Sequence, residues 1–191
     1  MKVLVTGASG FLGGSHLVEL LVEKGYEVVG MVRKTSDTSL LDRLGVEKRV
    51  ADLTDPSSLV KAVRGIEAVV HLGAYYTFHG KKELYELVNV QGTRNVLDAC
   101  LGEGVQRFVY CSTTEAIGPV REIPAHEDHP PNPQYEYGRC KLKIESLVKG
   151  YADRIKTTII RPSGMYGPRN VHDISCYFIT SFAGSPYRRE C

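Results

Sequence analysis

The chain begins Met1-Lys2-Val3-Leu4-Val5-Thr6-Gly7-Ala8-Ser9-Gly10-Phe11-Leu12-Gly13-Gly14, and the reading of this stretch decides the rest. Lys2-Val3-Leu4-Val5 is a short, apolar, β-branched run of the kind that forms a buried strand. It leads into Thr6-Gly7-Ala8-Ser9-Gly10. Helical apolar spacing then begins at once, with Leu17, Val18, Leu20, Leu21 and Val22, and stops at Lys24-Gly25. Strand, glycine turn and helix in that order predict a dinucleotide site. Gly7 lets the chain turn sharply off the strand, Gly10 lets the backbone approach a pyrophosphate, and Gly13 lets the helix lie close to the sheet. The helix N-terminus adds free N–H groups and a partial positive charge facing the phosphates.

The chain is 191 residues long, enough for one domain with a sizeable core. Hydrophobic content of 42% and charged content of 24% fit an ordinary soluble globular protein. A formal net charge of +2 with no basic run points to neither a nucleic acid nor an acidic surface as partner. Cys100, Cys111, Cys140, Cys176 and Cys191 follow no C-x-x-C or Cys/His ligand spacing. No metal site is expected, and the thiols are expected to be reduced, as in a cytoplasmic protein. The chain opens directly on a core strand, so no signal peptide is expected, and no apolar run approaches the length of a membrane span.

Glu27–Val32 reads as a second strand ending at Arg33-Lys34. An acidic residue at this end would take the adenosine ribose hydroxyls of NAD, whereas a basic one favours the 2′-phosphate of NADP. Glu27 stands at the wrong end and Asp37 lies beyond it in the loop. Arg33 and Lys34, helped by Ser36, stand where the phosphate would lie, so NADP is the expected cofactor and NAD the alternative. The plainer reading makes them two solvated loop cations. Val46–Ala51 reads as a third strand and Ala68–Ala74 as a fourth, whose small terminal residues Gly73 and Ala74 let a cofactor lie on the backbone. His71 sits inside that apolar run and reads as a packed core histidine. Tyr75, Tyr76, Phe78 and His79 follow as either an aromatic lip over a substrate or packing for the next helix. A helix over Lys81–Leu101 places Leu84, Leu87, Val88, Val96, Leu97 and Cys100 on one face. Gly92 within it costs about 1 kcal/mol and implies a close neighbour. Arg107–Ser112 and Lys156–Arg161 complete the strands. Strands separated by helices at this rhythm predict an α/β fold with a doubly wound parallel sheet, the three-layer Rossmann arrangement.

The chemical signal is Tyr137-Gly138-Arg139-Cys140-Lys141, a Y-x-x-x-K within a helical stretch from Glu136 to Val148. On a helix the phenol and the ammonium share one face. A free tyrosine, with a pKa of about 10, is a poor acid or base at neutral pH, and a nearby ammonium is expected to pull it down.

These motifs carry a resemblance. Thr6–Gly13 matches the TGxxGFxG opening of the extended short-chain dehydrogenases/reductases, and the later motifs keep that family's order along nearly the whole chain. The resemblance implies that Ser9, Phe11 and Leu12 join Gly7, Gly10 and Gly13 at the pyrophosphate. It implies that Asp52-Leu53 contacts adenine, the carboxylate accepting from the exocyclic amine. As a lone residue Asp52 could equally cap the helix that starts near Asp55-Pro56. Leu72-Gly73-Ala74 is similar to the end of the family's HLAA, and Asn89–Thr93 to its NVxGT, where the Asn is structural. Ser112, Pro162 and Ser163 fall at cofactor-lining positions. A Ser or Thr five residues before a glycine holds the substrate carbonyl in the family, and counting back from Gly118 selects Thr113, with Ser112 and Thr114 as alternates. Tyr137 would deliver the proton, and Lys141 would also bind the nicotinamide ribose.

The family implies hydride transfer between NADP(H) and a small carbonyl/alcohol substrate, closest to the dihydroflavonol-reductase and 3β-hydroxysteroid-dehydrogenase branch. An NAD-using nucleotide-sugar epimerase/dehydratase is the alternative, and a catalytically idle dinucleotide-binding module the second. Two departures stand out. Gly14 adds a residue between the turn and the helix end and is expected to loosen the first helical turn. Family members also continue past Tyr166-Gly167-Pro168 into a substrate domain. Residues 1–170 then form the dinucleotide-binding and catalytic domain, and 171–191 only the start of a shortened substrate region. An apolar face is expected to be left uncovered, and the resemblance implies a homodimer formed through the helices at Lys81–Leu101 and Tyr137–Tyr151.

Overall fold

The computed structural model describes residues 1–77 and 80–170. The expectations for Phe78, His79, Cys176, Cys191 and the region 171–191 lie outside them. Strands β1 (Lys2–Thr6), β2 (Glu27–Val32), β3 (Glu47–Val50), β4 (Ala68–His71), β5 (Arg107–Cys111) and β6 (Lys156–Ile160) form one sheet in the order β3-β2-β1-β4-β5-β6. Every pairing is parallel. The order reverses between β1 and β4, which is where a doubly wound sheet opens a crevice at its carboxyl ends.

Alternation along the strands divides the core into two layers. Leu4, Val29, Met31, Val69 and Phe108 face a large cluster built with α3 (Pro56–Val63), α5 (Gly92–Gly102) and α6 (Glu136–Lys149). Val5, Val28 and Val32 face the other side, packing on Val18, Leu41 and Ala8. The strand expected over Val46–Ala51 is shorter, and the fourth strand ends at His71 rather than Ala74. A further helix, α2 (Ser39–Arg43), has no counterpart in the sequence reading. It has five residues and buries Leu41 alone. Leu41 seats on Gly30, where a Cβ would stand 3.0 Å from Leu41 Cδ1.

Two helices are locally π-wound, and the second corrects an expectation. Gly13–Val18 is a π segment that continues as α1 (Glu19–Glu23). The turn that holds Gly14 is wider than an α-helical turn. Gly14 is buried, and a Cβ there would lie 2.5 Å from the Ala8 carbonyl oxygen. The long helix begins as α4 (Lys82–Leu84), runs π-wound over Tyr85–Gln91 and continues as α5. The π turn slips the helical phase, so Leu87, expected on the buried face, is 51% exposed, while Tyr85, Asn89 and Val90 are buried. Gly92 sits against Leu53, whose Cβ would be 2.9 Å from an added methyl.

Candidate active site

The glycine turn stands at the carboxyl end of β1. Gly7 adopts φ +68°, a left-handed conformation that favours glycine, and a Cβ on it would come 2.9 Å from Gly73 N. Gly13 packs against the same turn, with its ideal Cβ inside contact of the Gly7 carbonyl. Gly10 is exposed and meets only Gly7 O, at 3.3 Å. The result is a bare backbone surface at a helix start, shaped to receive phosphate oxygens.

Behind this turn a buried hydrogen-bond chain fixes β4 against β1. Thr6 Oγ1 accepts from the N–H groups of Leu72 (3.1 Å) and Gly73 (3.0 Å). With both lone pairs taken, its own proton goes to His71 Nδ1 at 2.7 Å. His71 therefore carries its proton on Nε2 and donates it to Thr93 Oγ1 at 3.0 Å. Burial, and then the charge of Lys141, push His71 down to about 3. It is the neutral core histidine that the apolar run predicts.

Two cavities, of about 510 Å³ and about 380 Å³, share Gly7, Gly10, Leu72, Ala74 and Tyr76, and so form one groove across the strand ends. The larger part is lined by Ser9, Arg33, Asp52, Leu53 and Gly73 as well. Ser36 lies there too, its hydroxyl accepting from Arg33 N at 3.0 Å. Lys34 is exposed and does not line the groove, whereas Arg33, whose carbonyl accepts from Ser36 N at 3.0 Å, does. Asp52 does not cap the following helix. That role belongs to Asp55, whose Oδ1 accepts from Ser57 N and Ser58 N. Asp52 Oδ1 holds the N–H and hydroxyl of Thr54, leaving Oδ2 without a partner among the described residues.

The smaller part brings Phe11, Leu12 and Gly13 together with Ser112, Thr113, Tyr137, Lys141, Pro162 and Ser163. Thr113 Oγ1 accepts from Glu115 N at 3.3 Å, capping the short turn at Thr114–Ala116, and its hydroxyl proton remains available to a carbonyl oxygen. Lys141 is 4% exposed and donates from Nζ to the Cys111 carbonyl at 2.8 Å. Burial pushes its ammonium down to about 8, against the opposing influence of Cys111, Cys140 and Glu145. Tyr137 differs from expectation: burial, and then the carboxylate of Glu115, push its phenol above the usual tyrosine value. The ammonium does not reverse this, because its first hydrogen bond goes to Cys111 O and it stands 5.6 Å from the Tyr137 ring centroid.

The sequence reading did not mark Glu115, Cys111, Gly164 or Met165, all of which line the groove. Glu115 could have been found from its place inside the Thr113–Gly118 stretch. Its carbonyl oxygen touches Gly138, where any Cβ would collide, so the Thr114–Ala116 turn and the start of α6 are locked together next to Tyr137. Tyr76 lies between the two halves with its ring 4.8 Å from that of Tyr137. Its neighbour Tyr75 is clamped by Asn89, which accepts from Tyr75 N at 2.6 Å and donates to Tyr75 O at 2.9 Å. Cys100, Cys111 and Cys140 are buried free thiols. Among the described residues no His/Cys/Asp/Glu group could hold a metal ion, and no helix is long and apolar enough to cross a membrane.

Comparison with known proteins agrees with this fold. Residues 3–189 match the NAD dependent epimerase/dehydratase family. The chain belongs to that family, the extended short-chain dehydrogenases/reductases. It is 38% identical over 178 residues to a 2-alkyl-3-oxoalkanoate reductase of Stenotrophomonas maltophilia, covering 88% of this chain and 52% of that protein. A decarboxylating sterol-4-alpha-carboxylate 3-dehydrogenase of Bos taurus is 35% identical, with 88% and 48% covered. The Thermus thermophilus UDP-glucose 4-epimerase, solved in complex with NAD, superposes with a TM-score of 0.80 at 35% identity, covering 88% of this chain and 57% of that one. The chain thus spans about half the length of the curated relatives it matches.

Proposed function

We propose that this chain carries the dinucleotide-binding and catalytic part of an NADP(H)-preferring reductase acting on a small carbonyl/alcohol pair. The observation that carries the reading is the single groove in which Tyr137, Lys141 and Thr113 meet at one end and Arg33 with Ser36 at the other. The residues fit a nicotinamide dinucleotide: the bare glycine turn suits a pyrophosphate, and Asp52 Oδ2 suits an amine donor. When bound, that cofactor supplies hydride chemistry.

The remaining work falls to the chain's own side chains. The Thr113 hydroxyl donates to the substrate carbonyl oxygen and holds it toward Tyr137. The phenol of Tyr137, kept protonated by burial, gives its proton to that oxygen as it gains charge. Lys141, already oriented by Cys111 O, directs its remaining donors to the ribose hydroxyls. Arg33 holds the 2′-phosphate as a charge-assisted pair. Residues 171–191 would begin the substrate region, and a homodimer would form through the faces of α4–α5 and α6, where Leu87 is exposed.

The similarity to an NAD-complexed epimerase supports a second reading, in which NAD is held tightly and a nucleotide sugar is the substrate. Fluorescence titration with NADPH and NADH, with Arg33→Ala alongside, separates the two. NADPH preference lost in the mutant supports the reductase. NADH preference indifferent to the mutation supports the epimerase. Binding of neither refutes both for this chain.

A further inference from the structure

The catalytic end of the groove holds a charge that the chemistry above leaves unanswered. Glu115 lines it together with Thr113, Tyr137 and Tyr76, and its main chain is fixed on both sides. Its N–H donates to Thr113 Oγ1 at 3.3 Å, and its carbonyl oxygen lies where a Cβ on Gly138 would stand. The residue is exposed, although partial burial raises its carboxyl above the ordinary glutamate value.

The cations around this end are engaged elsewhere. Arg139 Nε pairs with Glu136 at 3.0 Å, and its Nη1 donates to the carbonyls of Pro133 and Gln134, both at 3.2 Å. Arg161 is held by Glu145 at 2.7 Å, and Lys143 by Glu86. Lys141 is buried and bonded to Cys111 O, so it is a neighbouring positive charge that is not paired with Glu115. Among the described residues the Glu115 carboxylate has neither an ion pair nor a hydrogen bond.

The same end is aromatic. The Tyr76 ring meets that of Tyr137 at 4.8 Å, Tyr137 lies 6.1 Å from Tyr85, and Tyr85 5.3 Å from Tyr75. Tyr76 is 44% exposed and lines the groove, so part of its surface is open to a ligand. A carboxylate without a counter-ion beside tyrosine rings suits an ammonium group, which gains an ion pair and a cation–π contact. A carboxylate on the substrate would meet like charge instead. The chain as a whole cannot supply this preference, because its net charge of +2 favours anions.

We propose that the substrate of this groove carries an ammonium group near its carbonyl, selected by Glu115 and the Tyr76 ring: an amino ketone or amino aldehyde rather than a keto acid. The proposal rests on the reading of the groove as a carbonyl-reducing site and deepens it. Its test reads binding alone. A chain that reduces nothing refutes that reading, whereas a missing charge preference refutes only this one.

The experiment is fluorine NMR titration of the full chain with probes of one shape and different charge: para-fluorobenzylammonium, para-fluorobenzyl alcohol and para-fluorobenzoate. It compares the wild type with Glu115→Gln and with Glu122→Gln, an exposed acid outside the groove. The quantity read is the ratio of ammonium to benzoate affinity. Contacts of the shared ring cancel in it, and the pull of Lys141 on benzoate is the same in every variant. Glu115→Gln is expected to lower the ratio about tenfold, with about threefold lost by the cation and about threefold gained by the anion, the size of partly exposed charge interactions. The alcohol should bind the wild type and Glu115→Gln alike, and Glu122→Gln should keep the wild-type ratio. A ratio unmoved by Glu115→Gln overturns the proposal, as does an equal fall in Glu122→Gln or a wild type that binds no ammonium probe. Should Glu115→Gln not fold, Tyr76→Leu carries the measurement. Removing the ring is expected to lower the ratio about threefold, and an unchanged ratio there overturns the proposal as well.

Discussion

Lys141 Nζ donates to the carbonyl oxygen of Cys111 at 2.8 Å, so α6 is bonded to the end of β5, the strand that leads into Ser112 and Thr113. The ammonium arrives at the groove already oriented, with two donors left for other partners. Lys141→Met is expected to weaken dinucleotide binding by about tenfold or more, the loss of charge-assisted hydrogen bonds worth about 1.5–3 kcal/mol. Titration of reduced-nicotinamide fluorescence checks this. Undiminished affinity would remove Lys141 from the cofactor site.

The two directions of a carbonyl/alcohol reaction need opposite forms of Tyr137. Reduction needs the phenol, which persists up to its raised pKa, so the reductive rate is expected to stay level through neutral pH. Oxidation needs the phenolate, so its rate is expected to climb without a plateau from about pH 6 to about pH 10. Rate profiles in both directions test this, with Tyr137→Phe as the inactive control. A plateau in the oxidative rate near neutrality would mean that Lys141 does lower the phenol.

His71 makes stability depend on acid. Its folded pKa of about 3 lies below the unfolded value of 6.5. The unfolded chain therefore takes up the proton first, and stability falls as pH drops from the unfolded value toward the folded one. This group alone is expected to cost about 3 kcal/mol between pH 7 and pH 4. Urea unfolding at the two pH values measures the loss, and His71→Asn should flatten much of it. An unchanged slope in that variant would assign the acid sensitivity elsewhere.

The glycines of the turn separate folding from binding. At Gly13 an added methyl meets the backbone of Gly7 and cannot be relieved by a side-chain shift, so Gly13→Ala is expected to destabilise by about 1–3 kcal/mol. At Gly10 the methyl meets only Gly7 O at 3.3 Å and points to the groove. Gly10→Ala should melt near the wild-type temperature and yet lose dinucleotide affinity. Equal melting temperatures in the two variants would contradict the packing described for Gly13.

The architecture was legible in the sequence because its signals are local. Apolar β-branched runs and the Gly7-x-x-Gly10-x-x-Gly13 spacing report strands and a tight turn without reference to the rest of the chain. The α2 helix was not legible, since its five residues bury only Leu41 and its seat is the distant Gly30. Leu87 was misplaced because a π turn leaves no mark in composition, only in the phase of the helix around it. At the groove, the residue types and their order pointed to the positions the structure brings together, apart from Lys34, which does not line it. The electrostatics were not legible. Whether the phenol of Tyr137 rises or falls depends on burial and on Glu115, and the Glu145–Arg161 pair joins residues on separate elements.

The wide turn at Gly13–Val18 has a consequence for how chains of this kind are compared. A helix that stores an extra residue as a π turn can differ in length from a relative while both flanks superpose, so residue count and spatial position part company there. An alignment that places its gap a few positions away would match Leu17 and Val18 to the wrong neighbours and report a core substitution where none exists. For the same reason, deleting a single residue from Ser15 to Val18 is expected to leave the sheet and the glycine turn in place. The start of this helix works as a slack joint, the place where the chain can change length without changing shape.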